Sequence, residues 1–367
     1  MKKLWFAWSC CILFSLPGLA QEIGIGTSNP NPQSLLHIDV GNSTTRGLLV
    51  TGSAITGVVP DLGIGPKLMF YPGKAAFREG YTSGSQWYNA STGYYSVAMG
   101  ANTTASADYS VALGGNTTAS GQYSLAMGNG SMASANYSNA FGLTSTAGGL
   151  YAFAAGNTCT ANGQSSFAFG SGAAATGDYS VAIGHSVNTN LKTGGFFLAD
   201  SDPFNKGVRI VGSNDQMCMR FNGGYYFISN NNGPDIGVQV VAGGNSWAVV
   251  SDVRLKENFL PIDEENFLHK IATLNLTTWN YKGQDPRHFR HFGPMAQDLY
   301  AAFGKDEFGS IGCDTLINQQ DLIGVNLVAV QALEKRTSIL DRENTILRNE
   351  VLDLKERLTK MEKLLNR

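Results

Sequence analysis

The chain has 367 residues, of which 44 are glycine and only 15 % are charged, and its net charge is −2. Glycine near 12 %, against about 7 % in ordinary proteins, together with so little charge, excludes a compact helical enzyme as the default. The small net charge gives no electrostatic footprint for nucleic acid or an anionic membrane, so neither is expected as a partner.

Lys2 and Lys3 precede an apolar run from Leu4 to Leu16, and Pro17-Gly18-Leu19-Ala20 ends in the small-x-small pattern of a signal-peptidase site. Residues 1–20 are therefore expected to be a cleaved signal peptide, which makes the protein secreted or surface-located. The run is shorter than the roughly 20 apolar residues a bilayer requires, and no transmembrane segment is expected after cleavage. Cys10 and Cys11 leave with the signal. Cys159, Cys218 and Cys313 lack the spacing of a disulfide framework or a zinc site and read as small buried hydrophobes. No cofactor and no metal are expected, and His288-Phe289-Arg290-His291 has no carboxylate or cysteine to complete a ligand set. Residues 21–90 read as an N-terminal β region. Within it, Gly24-Ile25-Gly26-Thr27-Ser28-Asn29-Pro30 lacks the third glycine of a phosphate loop and reads as a strand and turn. Trp87, Tyr88, Tyr94 and Tyr95 are expected to cap the first coil of the middle region, with a sugar-binding aromatic face as the alternative.

The middle of the chain is an internal repeat, the feature that decides fold class. Tyr95-Ser96-Val97-Ala98-Met99-Gly100 recurs from Tyr109, Tyr123, Tyr137, Tyr151, Ser165 and Tyr179, each start fourteen residues after the last. Alanine holds one column from Ala98 to Ala182, glycine another from Gly100 to Gly184, and a second alanine column runs from Ala105 to Ala175. Each unit has room for two short strands and two turns, and stacking at about 4.8 Å per coil turns equivalent positions into ladders. Asp108 and Asp178 are the only formal charges between Tyr95 and Asn190, and proline is absent from 73 to 202, as uninterrupted ladder pairing requires. This pattern resembles the head repeats of trimeric autotransporter adhesins. The resemblance implies a mainly β protein whose residues 91–194 form a left-handed parallel β-roll in a homotrimer. Residues 195–250, with short apolar runs such as Tyr225-Tyr226-Phe227-Ile228 between Gly/Asn turns, read as a β-rich connector.

From Ser251 onward the composition changes, with 16 Lys/Arg and 18 Asp/Glu in the last third. Val330, Leu333, Leu340, Leu347, Val351, Leu354, Leu358, Met361 and Leu365 fall on a and d positions of one heptad register, with Thr337 and Asn344 as polar a residues. Residues 326–367 are thus expected to form a coiled coil. Ahead of it, Ser251-Asp252-Val253-Arg254-Leu255-Lys256-Glu257-Asn258, then Trp279-Asn280-Tyr281, then Phe292-Gly293-Pro294-Met295-Ala296-Gln297-Asp298, occur in an order that resembles the intramolecular chaperone auto-processing domain of phage tailspikes such as endosialidases.

That resemblance implies a small α+β chaperone domain at 251–325 that trimerises, guides folding of the fibre and then cuts itself free. It further implies Ser251 as nucleophile, Lys256 as its base and Val250-Ser251 as the scissile bond, a single-turnover serine peptidase. A serine hydroxyl needs a base, and lysine serves as one only where burial depresses its pKa. Read without the family, Ser251-Asp252 is a helix N-cap and Lys256 a surface residue. Three readings stay open: an adhesin-like fibre matured by self-cleavage, the same fibre without cleavage, and a glycan-degrading tailspike. Against the last, Asp108 and Asp178 lie five coils apart, roughly 24 Å at 4.8 Å per coil, where glycoside hydrolysis wants carboxylates within about 10 Å. Beyond the homotrimer, the ligand class these readings allow is a surface glycan or a protein, and a spacer without a ligand stays open.

Overall fold

The computed structural model describes residues 23–28, 33–39, 41, 48–52, 58–201, 209–230, 233 and 235–366. The expected signal peptide, with Cys10 and Cys11, lies outside the described residues. The chain is mainly β and divides into two units, residues 1–227 with 239–248, and residues 228–238 with 249–367.

The first unit is a β-solenoid. Strands Val97–Ala101, Val111–Gly115, Leu125–Asn129, Asn139–Leu143, Phe153–Asn157, Phe167–Ser171 and Val181–His185 pair in parallel, each residue with the one fourteen later. A second parallel sheet is built from two-residue strands such as Thr104–Ala105 and Thr118–Ala119, again fourteen apart. Each repeat therefore gives one strand to each sheet. The stack continues past the strict period. Phe196–Ala199 pairs with Val181–His185, and Met217–Arg220 pairs in turn with Phe196–Ala199, while Arg209–Ile210 extends the second sheet.

The interior explains the two alanine columns. Ala98 to Ala182 and Ala105 to Ala175 are fully buried between the two sheets. The serines just before these strands are buried too, and all but Ser124 donate their hydroxyls to the carbonyl three residues earlier, as Ser96 Oγ does to Gly93 O at 2.6 Å and Ser180 Oγ to Gly177 O at 2.6 Å. The core between the sheets is built mostly of small residues, with Thr103, Thr117, Cys159 and Val187 among the larger ones it buries, while large apolar residues of the strands point outward: Met99, Met127 and Phe169 are exposed. Cys159 is buried in one of these small-residue columns, and burial pushes its thiol pKa up.

The repeated glycine is the fourth residue of each strand, where the backbone takes positive φ and the next coil approaches closely. Gly128 has φ +118°, and a Cβ there would lie 2.1 Å from the Gly142 carbonyl oxygen of the next coil. By contrast Gly130, at φ +67°, occupies a turn column filled by asparagine at 102 and 116 and by threonine at 144 and 158, all left-handed.

The N-terminal end is plugged. Strands Gly65–Tyr71 and Ala76–Thr82 form an antiparallel hairpin whose second strand pairs in parallel with Val97–Ala101. Arg78 is fully buried there, its guanidinium donating to Ser96 O at 2.9 Å, Ser96 Oγ at 2.8 Å and Ala105 O at 3.1 Å. Burial brings its pKa down to about 10. Trp87, also buried, donates Nε1–H to Thr103 O at 2.9 Å, the capping role expected of it. Farther upstream, Ile23–Ile25 is a strand paired in parallel with Leu36–Ile38, not the start of a phosphate loop.

The second unit is α+β. Helix α1 (Glu264–Ala272) is N-capped by Asp263, which accepts from Asn266 N at 3.1 Å. An antiparallel pair, Thr277–Trp279 with His291–Gly293, leads to α2 (Ala296–Phe303) and then to α3 (Gln319–Leu365). Helix α3 starts earlier than the heptads do because Asn318 caps it, accepting from Gln320 N at 2.9 Å. Its 47 residues span roughly 70 Å at 1.5 Å per residue. Lys335 and Arg336 of α3 pair with Glu264 and Glu265 of α1. Beyond them the a and d residues, among them Leu340, Leu347 and Leu354, stand exposed along one chain. Among the described residues no helix is long and apolar enough to cross a membrane.

These two glycine environments make opposite predictions. Gly128→Ala should cost about 3 kcal/mol or more, from combined backbone strain and overpacking against the next coil. Gly130→Asn, in a column that already takes asparagine, brings its Cβ to 3.1 Å from the Thr144 methyl, a side chain that can yield, and should cost about 1 kcal/mol or less. Denaturant unfolding followed by circular dichroism distinguishes them, and equal losses would contradict the coil geometry.

Candidate functional site

The segment that begins the second unit is short and locally determined. Val250 donates its backbone N–H to Gly237 O at 3.5 Å, and Ser251 follows it. Asp252 then caps a single 3-10 turn, Val253–Leu255: its carboxylate accepts from Arg254 N at 2.9 Å, while its carbonyl accepts from Leu255 N at 3.1 Å. The turn closes with Lys256 N donating to Val253 O at 3.2 Å. The cap is therefore Asp252 itself and not Ser251, and the helix it starts is one turn long.

Arg254 reinforces the cap. Its Nε lies 3.1 and 3.0 Å from the two Asp252 carboxylate oxygens, and the guanidinium forms an ion pair with the same group. Hydrogen bonds from Arg254 hold the Asp252 carboxyl below its ordinary pKa, and the same contact raises that of Arg254. This tight turn folds the chain back so that residues five apart meet. Lys256 Nζ donates to Ser251 Oγ at 2.6 Å. That separation lies within the reach needed for proton transfer between a base and a nucleophile. Val250 is half-buried, whereas Ser251 and Lys256 are both exposed in the single chain.

The remaining sequence candidates have structural roles. Asp108 Oδ1 accepts from Tyr94 N at 2.9 Å and Asp178 Oδ1 from Gln164 N at 2.8 Å, so each carboxylate ties one coil to the preceding coil. His291 stacks on Trp279 with ring centroids 4.6 Å apart, and among the described residues no group of histidine, cysteine and carboxylate side chains is arranged to hold a metal ion. Cys313 is half-buried, with its thiol pKa lowered chiefly by hydrogen bonding to Thr315. The Asp252–Arg254 clamp was not singled out from sequence as a positioning element. Its one available signal was the i, i+2 spacing of opposite charges between the serine and the lysine.

Comparison with known families falls on the same two regions. Residues 251–306 match the family described as chaperone of endosialidase, and that match begins at Ser251 itself. Residues 91–117, 119–143 and 161–186 match the YadA head domain repeat. No curated protein matches the chain.

The depressed Asp252 pKa fixes the sign of a pH effect on the turn. A carboxyl whose pKa is lower folded than unfolded stabilises the fold above its unfolded value, near 3.9, and that contribution fades as pH falls through the folded value. The Arg254 amide resonance should therefore hold steady from pH 8 to about 5 and shift only below about 4. In Asp252→Ala it should lack this acid step and exchange with solvent several times faster. An acid step that persists in Asp252→Ala would assign it to another group.

Proposed function

We propose that the chain is an exported, trimeric, adhesin-like fibre protein whose C-terminal segment chaperones assembly and then cleaves the Val250–Ser251 bond. The observation that carries the cleavage reading is the 2.6 Å contact between Lys256 Nζ and Ser251 Oγ, at the first residue of the match to the chaperone of endosialidase. Three-fold assembly is supported by the outward apolar residues of the solenoid, the exposed heptad seam of α3 and the likeness to YadA head repeats.

The chemistry balances within the chain. Neutral Lys256 Nζ takes the hydroxyl proton as Ser251 Oγ attacks the Val250 carbonyl carbon, closing a five-membered ring. The ring reopens by breaking the C–N bond, and the proton passes to the departing Ser251 nitrogen, leaving Val250 esterified to Ser251 Oγ. Water then hydrolyses that ester, giving a Val250 carboxylate and a free Ser251 amine. Each turnover consumes the only substrate, so the reaction runs once per chain.

Exposure of both residues in one chain bears on regulation. An amine surrounded by water is held in its charged form, and a lysine becomes a base where neighbours exclude water. Neighbouring chains in the assembled trimer would supply that exclusion, so cleavage would depend on correct assembly. The same exposure favours a second reading, a structural fibre that assembles and does not cut. The glycan-degrading reading finds no support at Asp108 and Asp178, whose carboxylates are engaged in ties between coils.

Intact mass and a denaturing gel on the purified protein separate these readings. Self-cleavage releases a fragment of 117 residues beginning at Ser251 from the parent, and from neither Ser251→Ala nor Lys256→Ala. Hydroxylamine should speed release in the parent by trapping Val250 as a hydroxamate. Full-length chains in all three proteins leave the non-cleaving fibre. Sedimentation tests assembly: a monomeric parent would overturn the trimer, and Leu347→Lys, a charge in the heptad seam, should reduce both trimer and cleavage.

A further inference from the structure

The column that opens each repeat carries tyrosine at 95, 109, 123, 137, 151 and 179, but serine at 165. All seven residues adopt left-handed φ, between +53° and +59°. From Tyr109 to Tyr179 each backbone N–H donates to a carbonyl fifteen residues earlier, including Ser165 N to Leu150 O at 2.7 Å and Tyr179 N to Gln164 O at 2.7 Å. The backbone is thus the same at every step, and only the side chain changes.

Five of the tyrosines form a continuous stack, with centroid separations of 4.9, 4.6, 5.0 and 5.2 Å from Tyr95 to Tyr151. The stack lacks one rung at Ser165 and resumes at Tyr179. Exposure records the break: Tyr109, Tyr123 and Tyr137 are 44–47 % exposed, whereas Tyr151 and Tyr179 reach 52 % and 60 %. Two coil steps separate the Tyr151 and Tyr179 positions, roughly 9.6 Å, the width of one six-membered ring in contact on both faces.

Polar groups edge this slot. Ser165 is exposed at its floor. Gln164 and Asp178, each preceding a column residue, are exposed beside it, and Asp178 is held there by its bond from Gln164 N. Aromatic faces on two sides attract C–H groups, whose hydrogens carry weak positive charge. A carboxylate, a carboxamide and a hydroxyl at the edge suit a ligand ringed by hydroxyls. A flat aromatic side chain would leave those polar groups unused, and an acidic sugar would meet the Asp178 carboxylate. We propose that the slot between Tyr151 and Tyr179 binds one neutral pyranose residue of a glycan. This site lies in the fibre and is independent of whether Val250–Ser251 is cut.

Saturation-transfer difference NMR on the full chain tests it, because a single-ring site exchanges quickly. The probes are methyl β-D-glucopyranoside, methyl β-D-galactopyranoside and methyl N-acetyl-β-D-glucosaminide, with N-acetyltyrosinamide as the aromatic control. At least one glycoside should receive saturation at its ring C–H groups. Ser165→Tyr supplies the missing rung and should cut that signal at least tenfold with no loss of thermal stability, since tyrosine already occupies six equivalent positions. Tyr179→Ala, which removes one wall, should cut it as well. No saturation of any glycoside in the parent, or a signal unchanged in Ser165→Tyr, overturns the proposal. So does Ser165-dependent binding of N-acetyltyrosinamide alone, which would assign the slot to an aromatic side chain of a protein.

Discussion

The closeness of the two solenoid sheets governs the rest of this protein. Where facing backbones lie this close, the interior is dominated by small residues, as Ala98 to Ala182 and the buried serines show, with threonine, cysteine and valine in one column at Thr103, Thr117, Cys159 and Val187. Such a core removes little apolar area per residue, so the hydrogen-bonded ladders, with every coil paired to the next, hold the coil together. Along the repeats most large side chains point out. The molecule then presents Met99, Met127 and Phe169 to solvent, a pattern that suits burial between chains better than life as a monomer. A solenoid also has two ends with unpaired edges, and here the hairpin Gly65–Thr82 covers the first, with Arg78 and Trp87 filling the mouth of the coil.

Much of this was legible because a strict period turns sequence columns into spatial ladders. The alanine column marks the interior, and the glycine column marks the strand positions where positive φ and close approach of the next coil exclude a side chain. Other parts were hidden for physical reasons. After Val181 the strand starts fall at Phe196 and Met217, fifteen and twenty-one residues on, so the period vanishes while the pairing continues. Pairing constrains the strands and leaves loop length free, so in sequence the extension looks like a connector. Arg78 was hidden too, since an arginine buried among carbonyl oxygens, with no carboxylate, looks like a surface residue in sequence.

At the candidate site the sequence supplied residue types and spacing, and the fold supplied the reason the spacing works. An extended chain would hold Ser251 and Lys256 far apart. One 3-10 turn, capped by Asp252 and braced by Arg254, shortens that span until the side chains touch. The two charges between serine and lysine thus shape the turn, and the choice of Asp252 over Ser251 as cap leaves the serine hydroxyl available to the lysine.

Fibre and C-terminal segment solve complementary problems. A parallel solenoid depends on contacts between residues one coil apart in a low-complexity sequence, and a slip of one whole repeat preserves nearly every column. Register across several chains is therefore poorly specified by the repeat itself. In the proposed assembly, a long helix with a heptad seam and polar residues at Thr337 and Asn344 would fix alignment where the fibre cannot, because a polar a position disfavours shifted pairings. Once alignment had propagated into the ladders, the fibre's own contacts would maintain it. On the proposed reading, a segment that aligns the chains would be needed during assembly and dispensable afterwards, and that is the division of labour a cut at Val250–Ser251 would serve.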